Sequence, residues 1–317
     1  MAGWSTGGEE VSAGGGKAAI VAALLANAGI AAAKFVGFLI TGSSSMLAEA
    51  VHSVADTSNQ GLLLLGGKRS RREATAEHPF GYGRDRYFYS FVVALLLFSL
   101  GSVFALYEGA HKLHSPEELT SPLVAIGILL VAIVLEGLSF RTAVRESRPL
   151  KGAGSWWRFI RQSKSPELPV VLLEDSGALV GLVFALAGVG LAVLTGDPMW
   201  DAIGTLGIGL LLGVIAVILI VETKSLLIGE GSSPEELRTI CTAMVGRGVD
   251  RVIHLRTQYL GPDELLVAAK IAVPATMSTA EVARAIDEAE ARVRGAVPAA
   301  RIIYLEPDLD RTPAGTT

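Results

Sequence analysis

Apolar residues run in six long blocks along the first part of the chain, at roughly 18–41, 44–67, 87–109, 121–142, 168–194 and 199–227. Each approaches the ~20 residues that carry a helix across the hydrocarbon core of a bilayer. The second and fifth blocks are less hydrophobic because polar residues interrupt them. Only a turn, TGDP at Thr195–Pro198, separates the fifth from the sixth. After about residue 230 the periodicity becomes that of a small soluble domain. SSPEELRTICTAMVGRG opens with a helix-start signal, Ser232 or Ser233 as cap and Pro234, Glu235 and Glu236 in the first turn. Strand-like alternation follows in VDRVIHLRTQYL and in ELLVAAKIAV, with Gly261-Pro262-Asp263 as the turn between them. STAEVARAIDEAEARVRGA reads as an amphipathic helix capped by Ser278 or Thr279, and RIIYLEPD as a last strand. The expected fold class is therefore an α-helical membrane protein, six transmembrane helices followed by an αββαβ domain. The boundaries drawn are a disordered tail at 1–16, a transmembrane domain at 17–229, the αββαβ domain at 230–310 and a second disordered tail at 311–317.

Composition agrees with the membrane reading. Half the residues are hydrophobic, 18% are charged and the mean hydropathy is +0.48, whereas soluble domains carry about a quarter charged residues. A net charge of −4 argues against nucleic acid as a partner. The lone Cys241 excludes an intrachain disulfide framework and a cysteine-rich zinc site. The Gly/Ser-rich, acidic start lacks the basic region of a signal peptide. Basic residues orient the bundle. Lys68, Arg69, Arg71, Arg72, Arg84 and Arg86 follow the second block, and Arg145, Arg148, Lys151, Arg158, Arg161 and Lys164 follow the fourth, beside the interfacial pair Trp156–Trp157. The connections after blocks one, three and five offer only Lys112. This asymmetry makes loops 2–3 and 4–5 cytoplasmic, and an even span count puts both termini there too, in a multi-pass protein of the cell membrane.

Chemistry concentrates in the second block. In SMLAEAVHSVADTSNQ, Glu49, His52 and Asp56 stand three and four residues apart, and Asn59 extends the row. On a helix the first three fall within about 60° of one another. An ionised side chain at that depth costs at least ~2.5–3.5 kcal/mol unless a partner, a wet cavity or a bound cation compensates. A simple polar seam between helices is the plainer reading of such a row. But His52 and Asp56, one turn apart, also offer one nitrogen and one oxygen donor to a single point, half of a tetrahedral divalent-metal site. The other half must come from another helix. In SKSPELPVVLLEDSGALVG, with Ser165 as cap and Pro166 at the first helical position, Glu174 and Asp175 lie about two turns inside. Asp175 is chosen as the facing ligand, with Glu174 as a second carboxylate or local proton carrier. The metal-site candidates are thus His52, Asp56, Asp175, Glu174, Glu49 and Asn59. Elsewhere in the spans, Asn27 is a pathway or packing residue, Lys34 is expected to snorkel outward and Glu108 to sit near the outer boundary. Glu136 is a possible second proton site, and Ser139 is expected to serve close helix contact.

These stretches resemble the cation diffusion facilitators, divalent-metal/proton antiporters. The matching segments are GSSSMLAEAVHSVAD, HPFGYGRDRYFY at 78–89, EDSGALVG at 174–181, GDPMWDAIGTLGIG at 196–209 and the terminal IIYLEPD, so the likeness runs from about residue 17 to 308. DTSNQGLLLLG and VLLEDSGALVG resemble the branch with the mitochondrial zinc carriers. The resemblance implies a metallochaperone-like cytoplasmic domain, a homodimer, alternating access and four metal ligands from spans two and five. Those ligands fall on His52, Asp56, Val171 and Asp175. Val171 cannot bind a metal, which leaves Glu174, Asn59, Glu49 or a water to complete the shell. In the HPFGYG loop, where some relatives carry two metal-binding histidines, only His78 remains and Tyr82 takes the second position, so His78 reads as structural. Where relatives place zinc-binding histidines in the C-terminal domain, this chain has Ile253, Lys270, Tyr304 and Glu306. The domain is therefore expected to dimerise without a metal cluster, with His254 a surface or interface residue.

No prosthetic cofactor and no enzymatic activity are expected. The function expected is export of a divalent cation, driven by protons that compete for the ligands. One imidazole among carboxylates favours Zn²⁺, with Mn²⁺, Fe²⁺ and Co²⁺ open. A membrane sensor that binds the cation without moving it is the chief alternative. An intramembrane metalloenzyme would want an HExxH-type pair, which the chain lacks, and an organic-cation exporter would want more than the 6% aromatic content present.

Overall fold

The computed structural model describes residues 27–115 and 120–309. Both expected tails and residues 18–26 of the first block fall outside that range. The chain divides into two compact units that do not follow chain order. One takes the chain up to Leu65 with Tyr89–Ser163 and Glu167–Glu222, and the other takes Gly66–Phe88, Lys164–Pro166 and the chain from Thr223.

The first unit is helical. The helices are α1 (Asn27–Thr41), α2 (Ser44–Arg69), α3 (Asp85–Leu96), α4 (Phe104–His114), α5 (Pro122–Lys151), the short α6 (Trp156–Gln162), α7 (Glu167–Thr195) and α8 (Met199–Ile228), with the last residues of α2 and α8 and the first of α3 falling in the second unit. α3 and α4 are one continuous rod through a π-helical stretch at Leu97–Val103. Among the described residues four rods are long and apolar enough to cross a bilayer: Asp85–His114, α5, α7 and α8. α1 contributes 15 described residues, and α2 is long enough at 26 residues but carries the polar stripe.

Three boundaries differ from expectation. α7 starts at Glu167, so Pro166 precedes the helix instead of occupying its first position. α5 continues to Lys151, nine residues past the expected apolar end at 142, because its last turns are polar but still helix-forming. Pro149 is accommodated there because it falls near the helix end.

Packing follows the logic of a lipid solvent, where apolar burial gives no drive between helices and close contact must supply it. The buried face of α7 is a run of small residues, Gly177, Ala178, Gly181, Ala185, Gly188 and Ala192. It meets Ile208, Leu212, Ile215, Ala216 and Leu219 of α8 in a core that Met46 and Ala48 of α2 also join. The faces turned away are large and apolar. On α5, Leu123, Val131 and Val134 are each more than 60% exposed, which fits contact with lipid tails.

The second unit holds a three-stranded sheet in the order β1 (Arg251–Gly261), β2 (Glu264–Val273), β3 (Ile302–Leu309). β1 and β2 pair antiparallel across the Gly-Pro-Asp turn, and β3 joins β2 in parallel. The parallel strand needs a crossover, which α10 (Thr279–Ala296) supplies. Helix α9 (Pro234–Met244) and α10 both begin with a reciprocal capping box, Ser233 with Glu236 and Ser278 with Glu281. Each serine hydroxyl accepts a backbone N–H while the glutamate accepts the serine's own, so two orphan donors are satisfied at once. Leu265, Val267, Ala269 and Ile271 alternate along β2 and pack with Ile240 and Met244 of α9 and Ala285, Ala289 and Val293 of α10.

The loop after α2 belongs to this unit. Gly83 lies against the β1–β2 turn so closely that a Cβ there would come within 2.7 Å of the Leu260 carbonyl oxygen. Arg86 pairs with Asp263 at 3.2 Å. His78 is exposed and stacks on Tyr82 with ring centroids 4.6 Å apart. From the loop before α7, Lys164 pairs with Glu230 and lies over the Tyr259 ring.

Candidate metal centre

α2 has no acidic residue of its own in its first turn. A carboxylate from α8 takes that place. Asp201 accepts the Ser43 hydroxyl and the Ser44 backbone N–H, each at 2.8 Å, and the Ser44 hydroxyl at 3.0 Å. Ser45 donates to the Asp201 carbonyl at 3.0 Å. A negative charge at a helix N-terminus complements the dipole and satisfies free N–H groups. This anchor sets where along α8 the site helix begins.

One to four turns further along α2 lies the polar stripe. Glu49, His52 and Asn59 are fully buried. Among the described residues, neither ring nitrogen of buried His52 has a hydrogen-bond partner, and nor does Asp56 Oδ1. His52 Nδ1 and Asp56 Oδ1 stand 3.6 Å apart, outside bonding reach. Buried polar atoms in membrane proteins are normally satisfied. Three such atoms lie on adjacent turns of α2.

The facing helix supplies carboxylates, each already held. Asn59 donates its amide to Glu174 Oε1, which ties α2 directly to α7. Ser139 on α5 donates to Asp175 Oδ2 at 2.9 Å. Val171, one turn before Asp175, adds no donor. Glu136 and Asn27 line a narrow crevice with Ile30, Ser53 and Asp56. Among the described residues, no three His, Cys, Asp or Glu side chains converge closely enough to hold one ion. His52, Asp56, Glu174 and Asp175 thus share one seam without being gathered at one point.

Two expectations change. Lys34 does not snorkel. It is fully buried, and its ammonium donates to Glu49 Oε2 at 3.0 Å and to Ser53 Oγ at 2.8 Å. The reason is that Glu49, on the facing turn of α2, offers a charge partner nearer than the membrane surface. Glu49, placed among the metal donors by its spacing, therefore has one oxygen engaged by a cation of the protein itself. Its other oxygen, Oε1, is buried without a hydrogen bond and faces α7, where a Cβ on Gly181 would lie 2.6 Å from it. Sequence reasoning missed Asp201 and gave Ser139 only a packing role. A lysine inside an apolar block was itself the signal for a buried partner, whereas nothing local distinguishes Ser139.

In the second unit, the positions set against the absent histidines are occupied otherwise. Lys270 and Glu306 are register partners on β2 and β3 and form an ion pair at 3.0 Å. Tyr304 is exposed, as is His254.

Rods of bilayer length with large apolar side chains turned outward define a multi-pass membrane protein. Residues 20–228 match the cation efflux transmembrane domain, and residues 231–308 match the cation efflux protein cytoplasmic domain. The chain belongs to the cation efflux family, a family of transporters and not of enzymes. It is 36% identical over 224 residues to the human proton-coupled zinc antiporter SLC30A9, mitochondrial, a match covering 70% of this chain and 39% of that protein. It is 30% identical over 258 residues to metal tolerance protein C4 of Arabidopsis thaliana, covering 80% and 56%. Magnetosome protein MamB of Paramagnetospirillum magneticum is 26% identical over 269 residues, covering 84% and 85%. The chain thus spans well under half the length of the zinc antiporter it matches.

Proposed function

We propose that the chain is a six-span, proton-coupled exporter of divalent cations, with zinc as the preferred cargo, working as a homodimer in the cell membrane with both termini cytoplasmic. The observation that carries this reading is the set of buried, unbonded donors on α2, His52 Nδ1 and Nε2 with Asp56 Oδ1, opposite Asp175. An imidazole nitrogen beside carboxylate oxygens suits zinc. The names of the zinc antiporter and the metal tolerance protein point the same way.

The residues divide the work. His52, Asp56 and Asp175 bind the cation, and Glu174 supplies the fourth donor or takes a proton locally. Binding needs neutral imidazole and ionised carboxylates, so cation and proton exclude one another at the same atoms. An imidazole binds the cation in its neutral form and can take up a proton once the cation has left. Because the donors are not gathered at one point, loading requires α2 and α7 to shift or their side chains to turn, and the accompanying change of access is the transport step. The three-stranded domain, with β1 and β3 as open edges, supplies the dimer contact.

Uptake of Zn²⁺, Mn²⁺, Fe²⁺ and Co²⁺ into proteoliposomes under an imposed pH gradient tests the proposal. Zinc should move against the proton flux, and Asp56→Ala or Asp175→Ala should abolish exchange while leaving the dimer folded. Normal exchange by both variants overturns the site assignment. Tight binding without flux would favour a membrane metal sensor instead.

A further inference from the structure

Glu49 lies in the same α2 stripe as the proposed cation donors, and Lys34 on α1 already engages one of its oxygens. We propose that Lys34 is a specificity-determining residue: by engaging Glu49, it withholds a carboxylate from the α2–α7 site and so biases that site toward zinc over harder cations. The inference rests on the site reading given above.

Geometry comes first. Glu49 precedes His52 by three residues and shares its helix face. Lys34 reaches it from α1, and Ser53, the residue after His52, fixes the ammonium from the other side at 2.8 Å. The ammonium is therefore pinned by two acceptors on α2. Glu49 Oε1 is already turned to the α2–α7 seam, where Gly181 leaves room for it. Glu49 thus shares the seam with the other donors, and Lys34 is the partner that engages it.

Charge and donor type then follow. With Lys34 present, the formal charges of the pair cancel and the site acts through one imidazole and the carboxylates of Asp56, Asp175 and Glu174. Without Lys34, Glu49 becomes a further anionic oxygen donor one turn from His52. A carboxylate-rich set favours cations that prefer oxygen, Mn²⁺ and Mg²⁺, over zinc, for which nitrogen ligation counts.

The test compares Mn²⁺ and Zn²⁺ binding and uptake by the full-length chain. Binding is read by titration in detergent and uptake in proteoliposomes. Lys34→Met keeps the length and removes the charge, and it should raise the Mn²⁺-to-Zn²⁺ ratio by about tenfold. Lys34→Met/Glu49→Gln should return the ratio to that of the unaltered chain. The exchange Lys34→Glu/Glu49→Lys, which preserves the pair and so protects folding, puts an ammonium beside His52 and should weaken zinc binding by tenfold or more. A ratio unchanged in Lys34→Met, or changed equally in the double variant, overturns the inference, and so does normal zinc affinity in the exchanged pair. If the unaltered chain binds neither metal, the site reading itself has failed, which is a separate result from metals bound with a preference indifferent to Lys34.

Discussion

Asn59 on α2 donates its side-chain amide to Glu174 on α7, so the two helices that carry the candidate donors are joined by a buried interhelical hydrogen bond. The bond consumes one oxygen of Glu174 and leaves Asn59 Oδ1 without a partner. In a double-mutant cycle of Asn59→Leu with Glu174→Gln, measured by thermal stability in detergent, the coupling is expected at about 0.5–2 kcal/mol, the range of such bonds in membrane proteins. Coupling near zero would mean that the two side chains do not meet in solution.

Ser139 holds Asp175 from a third helix, α5. Outer partners of a ligand typically tune metal affinity by about 10–100-fold. Ser139→Ala should therefore weaken zinc binding by roughly tenfold with little loss of thermal stability. A purely packing role for Ser139 predicts the opposite pattern, stability lost and affinity kept, so a zinc titration beside a melting curve separates the two.

Asp201 anchors the start of α2 through Ser43, Ser44 and Ser45. Asp201→Ala leaves the Ser44 N–H and two hydroxyls without this acceptor, at a cost of about 1–3 kcal/mol for the buried groups left unpaired. Asp201→Asn keeps an acceptor but removes the charge, and it should cost clearly less. Zinc flux per folded molecule is expected to stay near normal in both, because Asp201 lies well away along α2 from His52 and Asp56.

The αββαβ unit should show a measurable response to acid at one capping box. The Ser278 backbone N–H, then its hydroxyl, donate to Glu281 and hold its carboxyl below the ordinary value of 4.5. A group whose folded pKa is depressed contributes stability above its ordinary pKa and loses it as pH falls through the lowered one. Glu281 should therefore titrate below 4.5 when its carboxyl carbon is followed by NMR. In Ser278→Ala the midpoint should move back toward the ordinary value. An unmoved midpoint would mean the box is not formed in solution.

Much of the fold was legible because its signals are local. Apolar blocks of bilayer length mark the rods at Asp85–His114, Pro122–Lys151, Glu167–Thr195 and Met199–Ile228 without reference to any neighbour. Ser233 and Ser278 announce their helices through a glutamate three residues on, and the expected strand ELLVAAKIAV coincides with β2. The stripe of Glu49, His52, Asp56 and Asn59 was equally legible, since one helix's periodicity places them together. The π-helical stretch at Leu97–Val103 was not. Its residues are ordinary helix formers, and the feature lies in how the rod packs, with Ser102 donating to the Gly209 carbonyl of α8.

What the sequence by itself determined is which residues share a helix face, where helices begin and which blocks belong in lipid, because each depends on spacing along one segment. What only the tertiary structure decided is which of those residues are still free. Glu49 and His52 look alike as donors in the sequence, yet a lysine 15 positions earlier engages one, and among the described residues no hydrogen bond engages the other. Glu174 and Asp175 are neighbours, yet Asn59 takes the first and Ser139 the second. A charge inside a membrane domain must find compensation, but the chain does not say where. That choice is made when helices distant in sequence pack together.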